Sequence, residues 1–107
     1  MTIKVELYQV RDDIDERHDI SFMNYEYVSK KIPDLKRNFK TYYKKTYEFE
    51  DTVEDTSDDN ILEDLFTKFN IDRPEDFKGH SMSVSDIVIL DDDRMYFCDS
   101  MGFQEIE

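Results

Sequence analysis

From Thr2 to Val10 the chain alternates, with Ile3, Val5, Leu7 and Gln9 on one face and Thr2, Lys4, Glu6, Tyr8 and Val10 on the other. A period of two with one apolar side predicts a strand. Arg11 to Asp19 is polar and acidic and reads as a loop. Ser21 or Asn24 then caps a helix through about Lys31 that presents Phe22, Tyr25, Val28 and Ile32, and Pro33 ends it. From Phe39 to Phe49, Thr41, Tyr43, Tyr47 and Phe49 fall on alternate positions against Lys40, Tyr42, Lys44 and Glu48, which predicts a second strand. Ser57 or Asp58 caps the strongest helical pattern, in which Ile61, Leu62, Leu65, Phe66 and Phe69 recur at helical spacing and acidic side chains in the first turn suit the dipole. Asn70 to Gly79 reads as a loop. Val84 and Ile87–Leu90 form a short buried strand, Asp91 to Asp93 a turn, Arg94–Cys98 a partner strand, and Phe103–Ile106 a last strand after a tight turn at Gly102. The order β-α-β-α-β-β-β predicts a single α+β domain, a mostly antiparallel sheet of about four to five strands with two helices packed on it.

Composition narrows the class. The chain has 107 residues, enough for one domain and one core. Its aromatic content of 14% argues against a disordered acidic tail. No apolar run approaches the roughly 20 residues of a membrane span, and the N-terminus lacks the pattern of a signal peptide. A lone cysteine, Cys98, makes no internal disulfide and suits a reducing compartment. The expected location is the cytoplasm.

Charge changes the picture most. The formal net charge is −13. Residues 1–50 hold ten basic and ten acidic side chains, so the whole excess lies in residues 51–107, which hold four basic and seventeen acidic ones. The neutral half still contains a basic stretch from Lys30 to Lys45 opposed only by Asp34. A two-sided surface is expected. Both patches also fit a solvated face that keeps the chain soluble.

One segment carries a resemblance. Phe69-Asn70, then the run from Pro74 through Lys78-Gly79-His80-Ser81-Met82-Ser83-Val84-Ser85-Asp86 to Ile87-Val88, and Tyr96-Phe97-Cys98-Asp99-Ser100-Met101-Gly102-Phe103 together resemble the YodL-like domain family. With the strand Val5–Val10, the likeness spans the chain. The resemblance implies a small domain of plasmids, phages and conjugative elements of Firmicutes, encoded beside genes that counter host defences. In that setting the sequence is similar to small acidic anti-CRISPR inhibitors of the type II RNA-guided nuclease.

Candidate chemistry is sparse. His80, Ser81 and Asp86 bring a histidine, a hydroxyl and a carboxylate close in sequence, but no nucleophile signature surrounds them, and Ser81, Ser83 and Ser85 suit a turn entering a strand. Two histidines and one cysteine do not make a zinc site. Asp91, Asp92, Asp93 and Asp99 offer grouped carboxylates for a divalent cation, yet consecutive turn residues point apart. No catalytic residue, metal or cofactor is expected. Cys98 reads as a small buried side chain.

The acidic half supports a different chemistry. Duplex DNA carries about one charge per 1.7 Å of axis, and carboxylates spaced ~5–6 Å apart on a helix face can occupy the same basic groove. The expected contact set is Asp51, Glu54, Asp55, Asp58, Asp59, Glu63, Asp91, Asp92 and Asp93. The expected function is a non-enzymatic inhibitor that enters the basic nucleic-acid channel of a host defence nuclease, in first place the type II CRISPR effector, and blocks guide RNA or target DNA. Neither direct DNA binding nor membrane attachment is expected of so acidic a chain. The alternatives are a metal-dependent nuclease acting on effector-bound RNA through Asp91 and Asp99, or a general protein-interaction domain.

Overall fold

The alternation of Thr2–Val10 becomes strand β1, which is hydrogen-bonded on both sides. The computed structural model describes residues 2–15, 17–52, 57–71, 75 and 82–106. Glu54, Asp55, Gly79, His80 and Ser81 lie outside the described residues. Beside β1 on one side runs β2 (Tyr43–Thr52), and on the other β3 (Ile87–Leu90), followed by β4 (Arg94–Asp99) and β5 (Gly102–Glu105). The order is β2-β1-β3-β4-β5, and every pairing is antiparallel. The expected α+β domain with a five-stranded sheet is the one found.

Helices cover both faces. On one lie α1 (Arg17–Ile20), α2 (Tyr25–Lys31) and α3 (Leu35–Tyr42). Their Ile20, Val28, Leu35 and Phe39 bury against Tyr8, Ile87 and Phe97. On the other lies α4 (Asp58–Ile71), whose Ile61, Leu62, Leu65 and Phe69 bury against Ile3, Val5, Leu7, Val88 and Leu90. Residues at alternate positions of β1 therefore serve two cores.

Capping follows the sequence closely at α2, where the Asn24 side chain accepts from the Tyr27 N–H at 2.9 Å. At α4 the Ser57 carbonyl accepts the Ile61 N–H at 3.1 Å, so the helix begins where Ser57 and Asp58 place it. Several expectations need correction. Among the described residues four helices stand where two were expected: residues 17–20 are helical at the end of the stretch read as a loop, and residues 35–42 are a helix although a strand was expected from Phe39, so β2 begins at Tyr43. Phe22 lies outside α2 and is exposed. Val84 lies in a turn ahead of β3.

The strand β2 also carries a bulge. Leu7 pairs with Tyr47 but Tyr8 pairs with Lys45, which leaves Thr46 as the extra residue. Its hydroxyl donates to the Leu7 carbonyl at 3.3 Å. An inserted residue reverses side-chain parity. Tyr43 accordingly joins the α3 core, whereas Tyr47 and Phe49 pack toward α4.

Candidate functional site: an acidic groove beside an open sheet edge

The structure sorts the acidic residues into those that hold the fold together and those that do not. Asp58 belongs to the first group. Its Oδ2 accepts from Arg94 Nε at 2.8 Å and from the Tyr96 hydroxyl at 2.5 Å. Burial and this bond to Asp58 push the Tyr96 phenol above its ordinary value. The helix start is thus fastened to β4.

Asp91, Asp92 and Asp93 close the β3–β4 hairpin. The Asp93 N–H donates to the Leu90 carbonyl at 3.3 Å, and Asp91 and Asp92 take left-handed backbone angles of φ 52° and 64°. Two left-handed residues in succession give the turn whose twist matches the strands, and Asp tolerates that region better than most residues. Asp91 further exchanges bonds with Lys4, its N–H donating to the Lys4 carbonyl and its Oδ1 accepting the Lys4 N–H, both at 2.8 Å. Lys4 Nζ reaches Asp92 at 3.1 Å and holds its carboxyl below the usual range. Arg94 lies 3.5 Å from Asp93 and 3.9 Å from Asp91.

A second network sits beside it on the sheet. Lys45 lies 2.7 Å from Glu48 and 3.2 Å from Glu6, whose residue is only 6% exposed. Those two carboxylates push the Lys45 ammonium well above its ordinary value. In the basic stretch, Lys30 meets Glu26, Lys31 meets Asp19, Arg37 meets Asp34 and Lys44 meets Asp12. Much of the basic stretch is thus neutralised locally, while Lys36 and Lys40 enter no ion pair among the described residues.

On the α4 side Asp51, Asp59, Glu63, Asp64, Asp99 and Glu105 enter no ion pair among the described residues, and elsewhere exposed Asp15 and Glu50 enter none. Asp99 Oδ1 nevertheless accepts the backbone N–H groups of Tyr25 and Ser100. Asp51 is half-buried near the end of β2, opposite Ile3. Asp59 and Glu63, one helical turn apart on α4, are exposed. With Asp99 they line a groove of about 740 Å³ between α4 and the β4–β5 hairpin, whose other walls are Phe66, Met101 and Phe103. Phe66 is 40% exposed and Met101 95%. Of the nine carboxylates expected to act together, Asp59 and Glu63 line this groove, Asp58 and Asp91 to Asp93 are tied to Arg94 or Lys4, Asp51 sits apart, and Glu54 and Asp55 lie outside the described residues.

Charge counting could not find the apolar walls. Phe66 falls at helical spacing with Leu62 and Phe69, so the pattern places it in the buried stripe, whereas the structure leaves it 40% exposed at the groove. Met101 and Phe103 flank Gly102, whose φ of 104° makes the turn between β4 and β5 and requires glycine by its backbone angle.

The carboxylates weighed for a metal do not converge. Asp91 to Asp93 and Asp99 stand at opposite ends of β4. Among the described residues no group of three or more His, Cys, Asp or Glu side chains is placed to hold a metal ion. Cys98, 2% exposed beneath the groove, has its thiol pushed up to about 12 by burial, reinforced by Asp86 and Asp99. Burial of this kind disfavours the thiolate, which is the nucleophilic form.

A family model for the YodL-like domain matches residues 4–107. The chain belongs to the YodL-like domain family. The match runs from β1 through β5, so the groove and the sheet edge are parts of one YodL-like domain. Comparison with curated proteins and with solved structures returned no match. No helix among the described residues of this YodL-like domain is long and apolar enough to cross a membrane.

Proposed function

We propose that this YodL-like domain is a non-enzymatic inhibitor carried by a mobile element, acting in the bacterial cytoplasm by docking its acidic α4 flank into the basic nucleic-acid channel of a host defence nuclease, in first place the type II CRISPR effector. The observation that supports the reading is the exposed pair Asp59 and Glu63, which enters no ion pair among the described residues and lines one groove with Asp99, while Asp58 and Asp91 to Asp93 are bound to Arg94 or Lys4. Fixed carboxylates with no internal counter-ion attract a basic surface, speed encounter and lose strength with salt. The same sign opposes a direct grip on DNA.

The test is cleavage of target DNA by guide-loaded effector in the presence of the domain. Asp59→Lys with Glu63→Lys, both exposed, should remove inhibition while the fold survives. Asp91→Asn with Asp93→Asn should leave inhibition in place. Inhibition that persists in the α4 reversal would overturn the charge-docking reading.

A further inference from the structure

The sheet has two edges, and they differ in how they are guarded. The β2 edge carries the Thr46 bulge and charges of both signs, Lys44, Lys45, Glu48 and Glu50. Such features discourage another strand from adding. The β5 edge, Gly-Phe-Gln-Glu, has no bulge, proline or lysine.

The hydrogen-bond parity of β5 can be fixed. Asp99 and Gly102 close the hairpin, Phe97 pairs with Gln104, and the Ile106 N–H donates to the Met95 carbonyl at 2.9 Å. Cys98 turns its own N–H and C=O the other way, to Asp86 and Ser85. In an antiparallel pair bonding residues alternate. Gly102, Gln104 and Ile106 therefore bond inward to β4, and the backbone groups of Phe103 and Glu105 point out along the edge, where the Glu105 carbonyl accepts only the exposed Gln104 side chain, at 3.3 Å, among the described residues. Their side chains, opposite Cys98 and Tyr96, lie on the α4 face of the sheet.

An added strand would consequently drop every second side chain into the groove beside Phe66 and Phe103, under Asp59 and Glu63. Apolar floor, acidic rim and outward backbone coincide there. We propose that this edge binds an extended segment of a partner protein by strand addition to β5, the segment alternating apolar residues with Lys or Arg. A second copy fits poorly, because its β5, Gly-Phe-Gln-Glu, brings no Lys or Arg to the acidic rim and adds Glu105 to it. The inference rests on the reading of the domain as a binder of basic protein surfaces, and names the part of such a surface that it takes.

The probe is a short blocked peptide alternating lysine and valine, titrated into the intact protein at low salt, with a peptide of the same composition containing D-residues as the control. Hydrogen exchange at the Phe103 and Glu105 amides should slow on binding. Glu105→Pro removes an outward N–H without touching the β4 ladder and should weaken binding about tenfold or more, whereas Glu105→Gln keeps the exchange signature. Binding with unchanged exchange at Phe103 and Glu105, or equal binding of the D-residue control, would overturn strand addition. Slowed exchange that grows with the protein's own concentration, without peptide, would also overturn it by assigning the edge to a second copy. These outcomes separate from the inhibitor reading. If Glu105→Pro still blocks DNA cleavage, the inhibitor survives and strand addition fails; if the peptide binds as expected but cleavage is untouched, the reverse holds.

Discussion

Arg94 and Asp58 are 36 residues apart in sequence, yet Arg94 Nε donates to Asp58 Oδ2 at 2.8 Å and pins the first turn of α4 to β4. Tyr96 donates to the same oxygen. A carboxylate that the charge pattern assigns to a binding surface is thus a fastening inside the domain. Asp58→Ala strands both donors, and unmatched part-buried partners of a charged group cost about 1–3 kcal/mol, read as a lower urea midpoint. In Asp58→Asn the Tyr96 phenol should titrate closer to its ordinary value, because the neighbouring negative charge is gone while its burial stays.

The hairpin Leu90–Arg94 makes a different prediction about Asp92. At φ 64° a β-branched residue is badly placed, so Asp92→Val should destabilise by about 1–2 kcal/mol. Asp92→Gly meets no such penalty and should lie near the wild type in thermal unfolding. An equal loss in both would mean that the exposed bond to Lys4, not the backbone angle, sets the cost.

Lys45 gives a pH signature. The Glu48 carboxyl sits below its ordinary value because of Lys45, so the stability it adds is complete above about pH 4 to 5 and lost as pH falls through the folded-state value. Lys45 itself is raised, so its share is present in neutral solution and disappears only at strongly alkaline pH. The gap in stability between wild type and Lys45→Met should therefore be widest near neutrality and narrow in acid. The comparison of the two proteins cancels the general relief of self-repulsion that acid brings to a chain of charge −13. Urea unfolding across pH reads it.

Cys98 should be slow to alkylate. With its thiol near 12, the thiolate fraction at about pH 8 falls on the order of a thousandfold below that of a free cysteine, before burial is counted. Iodoacetamide should label it at an ordinary rate only in denaturant. Fast labelling of the native protein would show that the floor of the groove opens.

Much of this fold was legible because strong periodicities coincide with burial. The alternation of Ile3, Val5 and Leu7, the helical stripe Ile61–Phe69 and the two turns at Asp91 and Gly102 all became the elements they predict. The failure at residues 35–42 has a specific cause. Helix α3 passes into β2 at Tyr43 with neither Gly nor Pro between them, so the alternation of the strand runs back into the helix when read as letters. The Thr46 bulge hid the second error, since Tyr43 and Tyr47 look like one face and serve opposite cores. At the site, a sequence shows how many carboxylates there are but not which of them a distant Lys4 or Arg94 has taken. Asp59 and Glu63 emerge only by subtraction of the pairs.

The register of β1 has a consequence for the order of folding. Val5 pairs with Leu90 and Tyr8 with Ile87, so β1 closes on a partner strand far away in the sequence. The β1–β2 ribbon that forms sooner is marginal alone. Until β3 appears, Ile3, Val5 and Leu7 have no finished sheet around them and α4 has nothing complete to cover. Such long-range closure slows folding, because loop-closure entropy is lost before the non-local contacts reward it. A chain cut between α4 and β3 would leave the apolar side chains of β1 without the strand that completes the sheet around them.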